Sequence, residues 1–164
     1  MSRARTRRRR NAPTLRVLRK SELDRLEKWR GLGGFMIVYY FGRYTKPTAA
    51  MLEKLFAAWM ADKRDKVRDV DLACGMGALY GDLLAEKFQF DWRMRRDAQG
   101  EAFALVDKSN GWENHPIDYV WKRVQPGSLG EETGFFRGGL AMWRGKVPAR
   151  RARPVAAQRR ARKK

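Results

Sequence analysis

Apolar residues recur every three or four positions through the stretches up to Phe88, and at alternate positions just beyond it. Ser21-Glu22-Leu23-Asp24 has the pattern of a helix start: Ser21 can cap and Asp24 favours the positive end of the dipole. Leu23, Leu26 and Trp29 or Arg30 follow at helical spacing, and Gly31, Gly33 and Gly34 are expected to stop the helix. Phe35 to Phe41 is the longest unbroken apolar run, and it fits a buried strand or the lining of a connection. A second helix is predicted from Thr45 or Thr48, with Pro47 in its first turn and Leu52, Leu55, Phe56, Trp59 and Met60 on one face. The mixed-charge stretch Asp62-Lys63-Arg64-Asp65-Lys66 reads as a solvated surface.

A third helical stripe runs through Val70, Ala73, Met76 or Gly77, Tyr80 and Leu83 or Leu84. Each of Gly75, Gly77 and Gly81 weakens such a helix by about 1 kcal/mol relative to Ala, so close approach of a neighbouring backbone is the expected reason for them. After Phe88 the period changes. Trp92-Arg93-Met94-Arg95 alternates as a half-buried strand does, Asp97 to Gly100 is a turn, and Phe103 and Leu105 mark a second strand. Ser109-Asn110-Gly111 is another turn. Pro116, Ile117, Val120, Trp121 and Val124 suit a short helix or strand. Gly127, Gly130 and Gly134 are expected to break the remainder into loops around Phe135, Phe136, Leu140 and Trp143. Helices first and strands second predict an α+β fold, with the N-terminal helices packed on a small antiparallel sheet.

Charge divides the 164 residues sharply. Residues 1–20 carry nine Lys or Arg and residues 144–164 carry ten, with no acid in either segment. Residues 21–143 hold 18 basic and all 18 acidic residues, so the formal charge of +19 belongs to the ends. Every Trp, Tyr and Phe lies in that same middle segment, which is therefore expected to be the single folded domain between two disordered basic tails. Clustered like charge is the signature of an arm for nucleic acid or an acidic protein. The candidate polyanion-binding residues are Arg7, Arg8, Arg9, Arg10, Arg150, Arg151, Arg159, Arg160, Arg162, Lys163 and Lys164. Neither end has an aromatic residue for base stacking, so its binding would be led by phosphate and strongly salt-dependent. An organellar targeting segment and a solubilising tail are the competing readings.

The chemistry-bearing residues narrow the picture further. One Cys and one His leave no disulfide framework and no Cys/His metal cage. The apolar run at Phe35–Phe41 is far short of the roughly 20 residues that span a bilayer, which predicts a soluble, cytoplasmic chain with no membrane partner. Val70-Asp71-Leu72-Ala73-Cys74-Gly75-Met76-Gly77 resembles the glycine-rich turn of S-adenosylmethionine-dependent methyltransferases. The preceding Lys66–Leu72 segment is too charged for a central parallel strand, however, and the remaining length is too short for a doubly wound sheet. A helix with Gly77 and Gly81 facing a neighbour, and Cys74 buried as a small apolar residue, is the preferred reading. His115 beside Pro116 reads as a surface or capping residue. The carboxylate pairs Asp69/Asp71 and Glu131/Glu132 lie in polar stretches and read as solvated. Lys122-Arg123 reads as the wet face of a short amphipathic element, with phosphate binding as the alternative.

One order of features carries a family resemblance. A glycine-containing helix at Gly75–Leu84, with Gly77 and Gly81, is followed by a strand led by Trp92, the Asp97 to Gly100 turn, and Pro116 ahead of Val120, Lys122 and Arg123. Over about residues 70–137 this resembles the bacterial DUF3806 family, a domain of unknown function. The resemblance implies a small α+β domain and brings no catalytic residue or cofactor. The Arg-rich ends and the Ser109–Asn114 loop depart from the pattern. The preferred function is a non-enzymatic binding or accessory protein, needing neither cofactor nor metal, whose cationic ends hold a neutral core near a polyanion. The alternatives are the methyltransferase and a protein-interaction module, immunity or regulatory in kind, using exposed aromatics among Trp112, Trp121 and Trp143.

Overall fold

The computed structural model describes residues 12–62, 67–125 and 134–146. The element order is β1 (Thr14–Val17), α1 (Lys20–Phe41), α2 (Ala49–Ala61), α3 (Asp69–Phe88), β2 (Asp91–Asp97), β3 (Gly100–Val106), β4 (Glu113–Asn114), α4 (Pro116–Val124) and α5 (Phe135–Lys146). The strands form one antiparallel sheet in the order β1-β2-β3-β4, and the architecture is α+β.

Strand alternation sets the two sheet faces. Met94 pairs with Phe103 and Trp92 with Leu105, and these side chains join Leu18, Leu26 and Ala78 or the larger core between helices. On the opposite face Arg93 pairs with Ala104 and Arg95 with Ala102. The small alanines let Arg95 reach both Asp97, at 2.9 Å, and Glu113, at 3.1 Å. The 97–100 turn forms as expected: Asp97 Oδ1 accepts from Gln99 N–H at 2.8 Å, and Gly100 takes φ 127°. The turn at Ser109–Gly111 is also present, tied by the buried Asp107, whose Oδ1 accepts from the Ser109 N–H and hydroxyl.

α3 is the central helix, and its glycines explain why. A Cβ on Gly77 would stand 2.6 Å from Ile117 Cα, and one on Gly81 would overlap the Trp92 ring. The opposite side of α3 meets α1, where a Cβ on Gly33 would stand 2.8 Å from the Gly75 carbonyl oxygen. The expected close approach therefore occurs on two sides at once. The larger core gathers Met36 and Ile37 of α1, Leu52, Leu55, Phe56 and Trp59 of α2, Met76, Tyr80 and Leu84 of α3, and Phe135, Phe136 and Trp143 of α5.

Four expectations need correction. Gly31, Gly33 and Gly34 do not end α1, which runs on to Phe41; packing of Gly33 on Gly75 and burial of Met36 and Ile37 outweigh the low helix propensity. The cap of α1 lies at Arg19 rather than Ser21: the Arg19 N–H donates to Glu22 Oε2 at 2.7 Å. Phe135–Lys146 is a helix and not a set of loops, since Gly139 admits the Tyr80 hydroxyl against its backbone. The body also starts before residue 21. Thr14–Val17 pairs with Arg93–Arg96, Leu18 is buried, and Arg16 bonds Glu22 at 2.7 Å and Glu101 at 3.2 Å. At the other end α5 continues past residue 143. The expected tail residues 1–11 and 147–164 lie outside the described residues.

Candidate functional site

The short α4 helix begins at Pro116, whose ring fixes the first-turn backbone and whose missing N–H is not needed there. His115 precedes it as the N-cap residue without a side-chain capping bond. Because β4 immediately precedes α4, the residues Trp112–His115 are held against the sheet while Asp118, Tyr119 and Lys122 project from the helix. α5 closes the third side with Met142 and Trp143. Together they line a cleft of about 500 Å³.

Its wall is aromatic and preset by ring contacts. Trp112, 41% exposed, stands 6.1 Å from the Trp143 ring at 55°, and Trp143 packs edge-on against Phe90 at 5.1 Å. Tyr119 is committed elsewhere: its hydroxyl donates to the Phe135 carbonyl at 2.8 Å, and its ring stacks on Tyr80. Burial, followed by the neighbouring Tyr119, pushes the Tyr80 phenol well above its ordinary range.

The polar groups of the cleft are under-used. Asn114 Oδ1 and His115 Nδ1 are buried with no hydrogen-bond partner among the described residues. His115 Nε2 stands 3.5 Å from Glu113 Oε2, an ion pair only when the imidazole is protonated. Asp118 and Lys122 are one turn apart on α4, and neither has an ion-pair partner among the described residues.

A second depression, of about 430 Å³, lies between α1 and α3. Here the charges are matched. Arg30 donates to both Asp82 oxygens at 2.7 and 2.9 Å and to Glu27 at 3.0 Å, while Lys46 reaches Glu86 at 3.3 Å. Asp82 also accepts from the Trp92 indole N–H at 3.0 Å.

The structure sorts the sequence-predicted residues by role. Gly81 meets Trp92 and Pro116, and Gly77 meets Ile117, as packing between α3, β2 and α4. Asp97 and Gly100 make the hairpin turn. The Lys122-Arg123 pair separates: Lys122 lines the cleft, whereas the Arg123 guanidinium lies 3.7 Å from the Tyr119 ring centroid and 4.7 Å from that of Phe135. Arg123 is a structural cation. Trp112 and Trp121 are exposed as expected, but Trp143 is buried at 4% exposure. Arg7, Arg8, Arg9, Arg10, Arg150, Arg151, Arg159, Arg160, Arg162, Lys163 and Lys164 lie outside the described residues, as do Glu131 and Glu132.

The methyltransferase alternative is overturned. Asp71, Gly75 and Gly77 are all inside α3, and both glycines face packed neighbours, so there is no strand end and no open turn for a cofactor. Cys74 is only half-buried, and desolvation followed by the nearby Asp71 raises its thiol pKa. No group of three or more His, Cys, Asp or Glu among the described residues is placed to hold a metal ion, and no helix among them is long and apolar enough to cross a membrane. The cleft is harder to read from sequence: His115 takes the expected capping position at the start of α4, but no sequence signal joins it to Asp118, Tyr119 and Met142.

Comparison with known proteins adds a family and a fold. The model of a domain of unknown function, DUF3806, matches residues 50–136, and the chain belongs to that family. No curated protein sequence matches the chain. A crystal structure from Bacteroides thetaiotaomicron VPI-5482, solved at 1.50 Å, is similar with a TM-score of 0.62 and 12% sequence identity. The match covers 79% of this chain and 48% of that one, so this chain spans about half the length of the solved protein. The likeness is one of fold.

Proposed function

We propose that this member of the DUF3806 family is a non-enzymatic binding protein whose cationic ends hold its folded body to a polyanion, nucleic acid being the partner of matching chemistry. The observation that carries the reading is the separation of charge. Residues 21–143 are formally neutral, while the 19 basic residues of the two ends face no acid in their own segments. Ion pairing within the body supports it. Arg30, Arg93, Arg95 and Arg137 of the body each reach a carboxylate within 3.2 Å, so part of the body's own positive charge is already engaged, and Arg16 of the N-terminal end is engaged by Glu22 and Glu101 as well. Like-charged ends would engage phosphates and release counterions.

The test uses the full chain, because removing residues 1–20 would also remove β1. A second full-length protein carries Gln at Arg7–Arg10, Arg159, Arg160, Arg162, Lys163 and Lys164. Affinity for a nucleic acid fragment is measured between about 50 and 200 mM salt. Six or more phosphate contacts predict a fall of about 10³-fold or greater across that range, and the substituted chain should bind far more weakly throughout. Equal binding by the two proteins would defeat the reading.

A protein-interaction module is the second reading. It is favoured by exposed aromatic surface on and after α1, where Phe35, Tyr39 and Tyr44 are 58%, 48% and 59% exposed. Sedimentation of the full chain over a range of concentrations, with Phe35→Ser as the control, would detect self-association through it.

A further inference from the structure

We propose that the cleft between β4, α4 and α5 seats one unpaired nucleobase, which makes single strands the preferred form of the polyanion. The inference rests on the polyanion reading and adds a site and a substrate class to it.

Position is the first argument. Met142 and Trp143 line the cleft, and α5 ends just beyond them at Lys146. The sequence from residue 144 onward contains no acid and ten basic residues. A strand bound by residues that follow α5 is tethered to the helix that lines the cleft.

Chemistry is the second. The volume of about 500 Å³ falls within the range of small-molecule sites, roughly 300–1,000 Å³. Trp112 is exposed at the wall and braced by Trp143, and every base has a face that stacks on such a ring. Asn114 also lines the cleft, and a carboxamide pairs with the polar edges of bases. His115 lines the cleft beside it, and its imidazole is a further polar group on that wall. Lys122 supplies a cation for the attached phosphate, and Asp118, one turn away, accepts from a base amino group while repelling phosphate from its own end. Opposite charges on one rim thus orient the nucleotide. A duplex keeps its bases stacked and its amino edges paired, and offers the cleft nothing comparable.

The experiment titrates the full-length chain with a single-stranded oligonucleotide and with the duplex of the same sequence, followed by anisotropy. The variants are Trp112→Ala, Trp112→Phe and Lys122→Gln, and unfolding curves confirm that each is folded. Trp112→Ala should lower single-strand affinity by at least about fivefold, the lower bound for one stacked base, and leave duplex affinity unchanged. Trp112→Phe should retain most of the preference, and Lys122→Gln should weaken single-strand binding and reduce its salt slope. A separate arm titrates a free purine mononucleotide, read by tryptophan fluorescence, into the chain with neutralised ends. Saturation that is lost in Trp112→Ala supports the cleft independently of the ends. Equal affinity for single strand and duplex, or Trp112→Ala binding single strands as the parent does, would overturn the proposal while leaving the polyanion reading intact. Saturation by an aromatic dipeptide with no response to the mononucleotide would assign the cleft to a peptide and likewise overturn it. Failure of the parent chain to bind either oligonucleotide would remove the polyanion reading itself, and the mononucleotide arm would still decide for or against the cleft.

Discussion

Two depressions of similar size, about 430 Å³ between α1 and α3 and about 500 Å³ between β4, α4 and α5, use polar residues in opposite ways. In the first, Asp82 takes two bonds from Arg30 and one from Trp92, and Lys46 meets Glu86. Each charge is answered by another, so the lining holds α1, α3 and β2 together. In the second, Asp118 and Lys122 stand on the rim without a partner among the described residues, and two buried polar atoms beside them are unsatisfied. Trp112, Asp118 and Lys122 are exposed, so they are the groups of this lining within reach of a ligand. Groups that satisfy one another belong to the fold; groups left over are available for binding.

The comparison can be broken from the structural side first. Gly81→Leu forces a branched side chain into the space of the Trp92 ring and the Pro116 ring. The loss should exceed about 3 kcal/mol, and the cooperative thermal transition seen by circular dichroism should disappear or move far down in temperature. A normal transition would mean that α3 is not locked between α4 and β2.

The next effect separates the two linings directly. Asp82→Ala leaves the Arg30 guanidinium and the Trp92 indole N–H without their acceptor. Both ion-pair side chains are about a third exposed, which tempers the loss to about 1–2 kcal/mol in urea unfolding. Asp118→Ala should cost less, about 0.3–1 kcal/mol, because that carboxylate has no ion-pair partner among the described residues and contributes only its charge at the first turn of α4. Similar losses in the two variants would erase the distinction between lining that builds and lining that binds.

The smallest effect is read in acid. The Arg16 guanidinium, followed by the Arg19 N–H, holds the Glu22 carboxyl at about 2, below its ordinary 4.5. The folded state therefore favours the charged form. That contribution is complete above pH 4.5 and is lost as the pH falls from there toward about 2. Glu22→Gln should lower stability at neutral pH and flatten the decline across the same window. A decline of unchanged steepness would mean that the contacts of β1 with α1 contribute nothing.

Much of this architecture was legible in the chain, and the misses share a cause. The α2 face, the α3 stripe and the β2–β3 hairpin each follow a local period and form where it places them, except that Met60 and Val70, expected on the buried faces, are exposed. The glycines of α3 were read as sites of close approach because three of them in one helix demanded a reason, and Ile117, Trp92 and Gly33 supply it. The same residue type misleads in α1: Gly33 looks like a breaker but meets Gly75, a partner distant in sequence that no local pattern reveals. In α5 the packing of Gly139 against Tyr80 is equally out of local view. β1 was hidden for a similar reason. Leu15 and Val17 sit among arginines, and only the pairing with β2 and the contacts of Arg16 with Glu22 and Glu101 turn that stretch into a strand. The cleft depends on residues 112–122 meeting residues 142–143, so it too was beyond local inference, although Trp112 was named among the exposed aromatics.

The most direct measurement of the central claim is the set of six tryptophan indole N–H resonances in the isotopically labelled full chain as a single-stranded oligonucleotide is added. Trp112 and Trp143 should shift together and saturably, while the Trp92 indole, bonded to Asp82, and the Trp59 indole, bonded to the Val67 carbonyl, should stay in place. Movement centred on Trp92, or no movement at Trp112, would contradict the account.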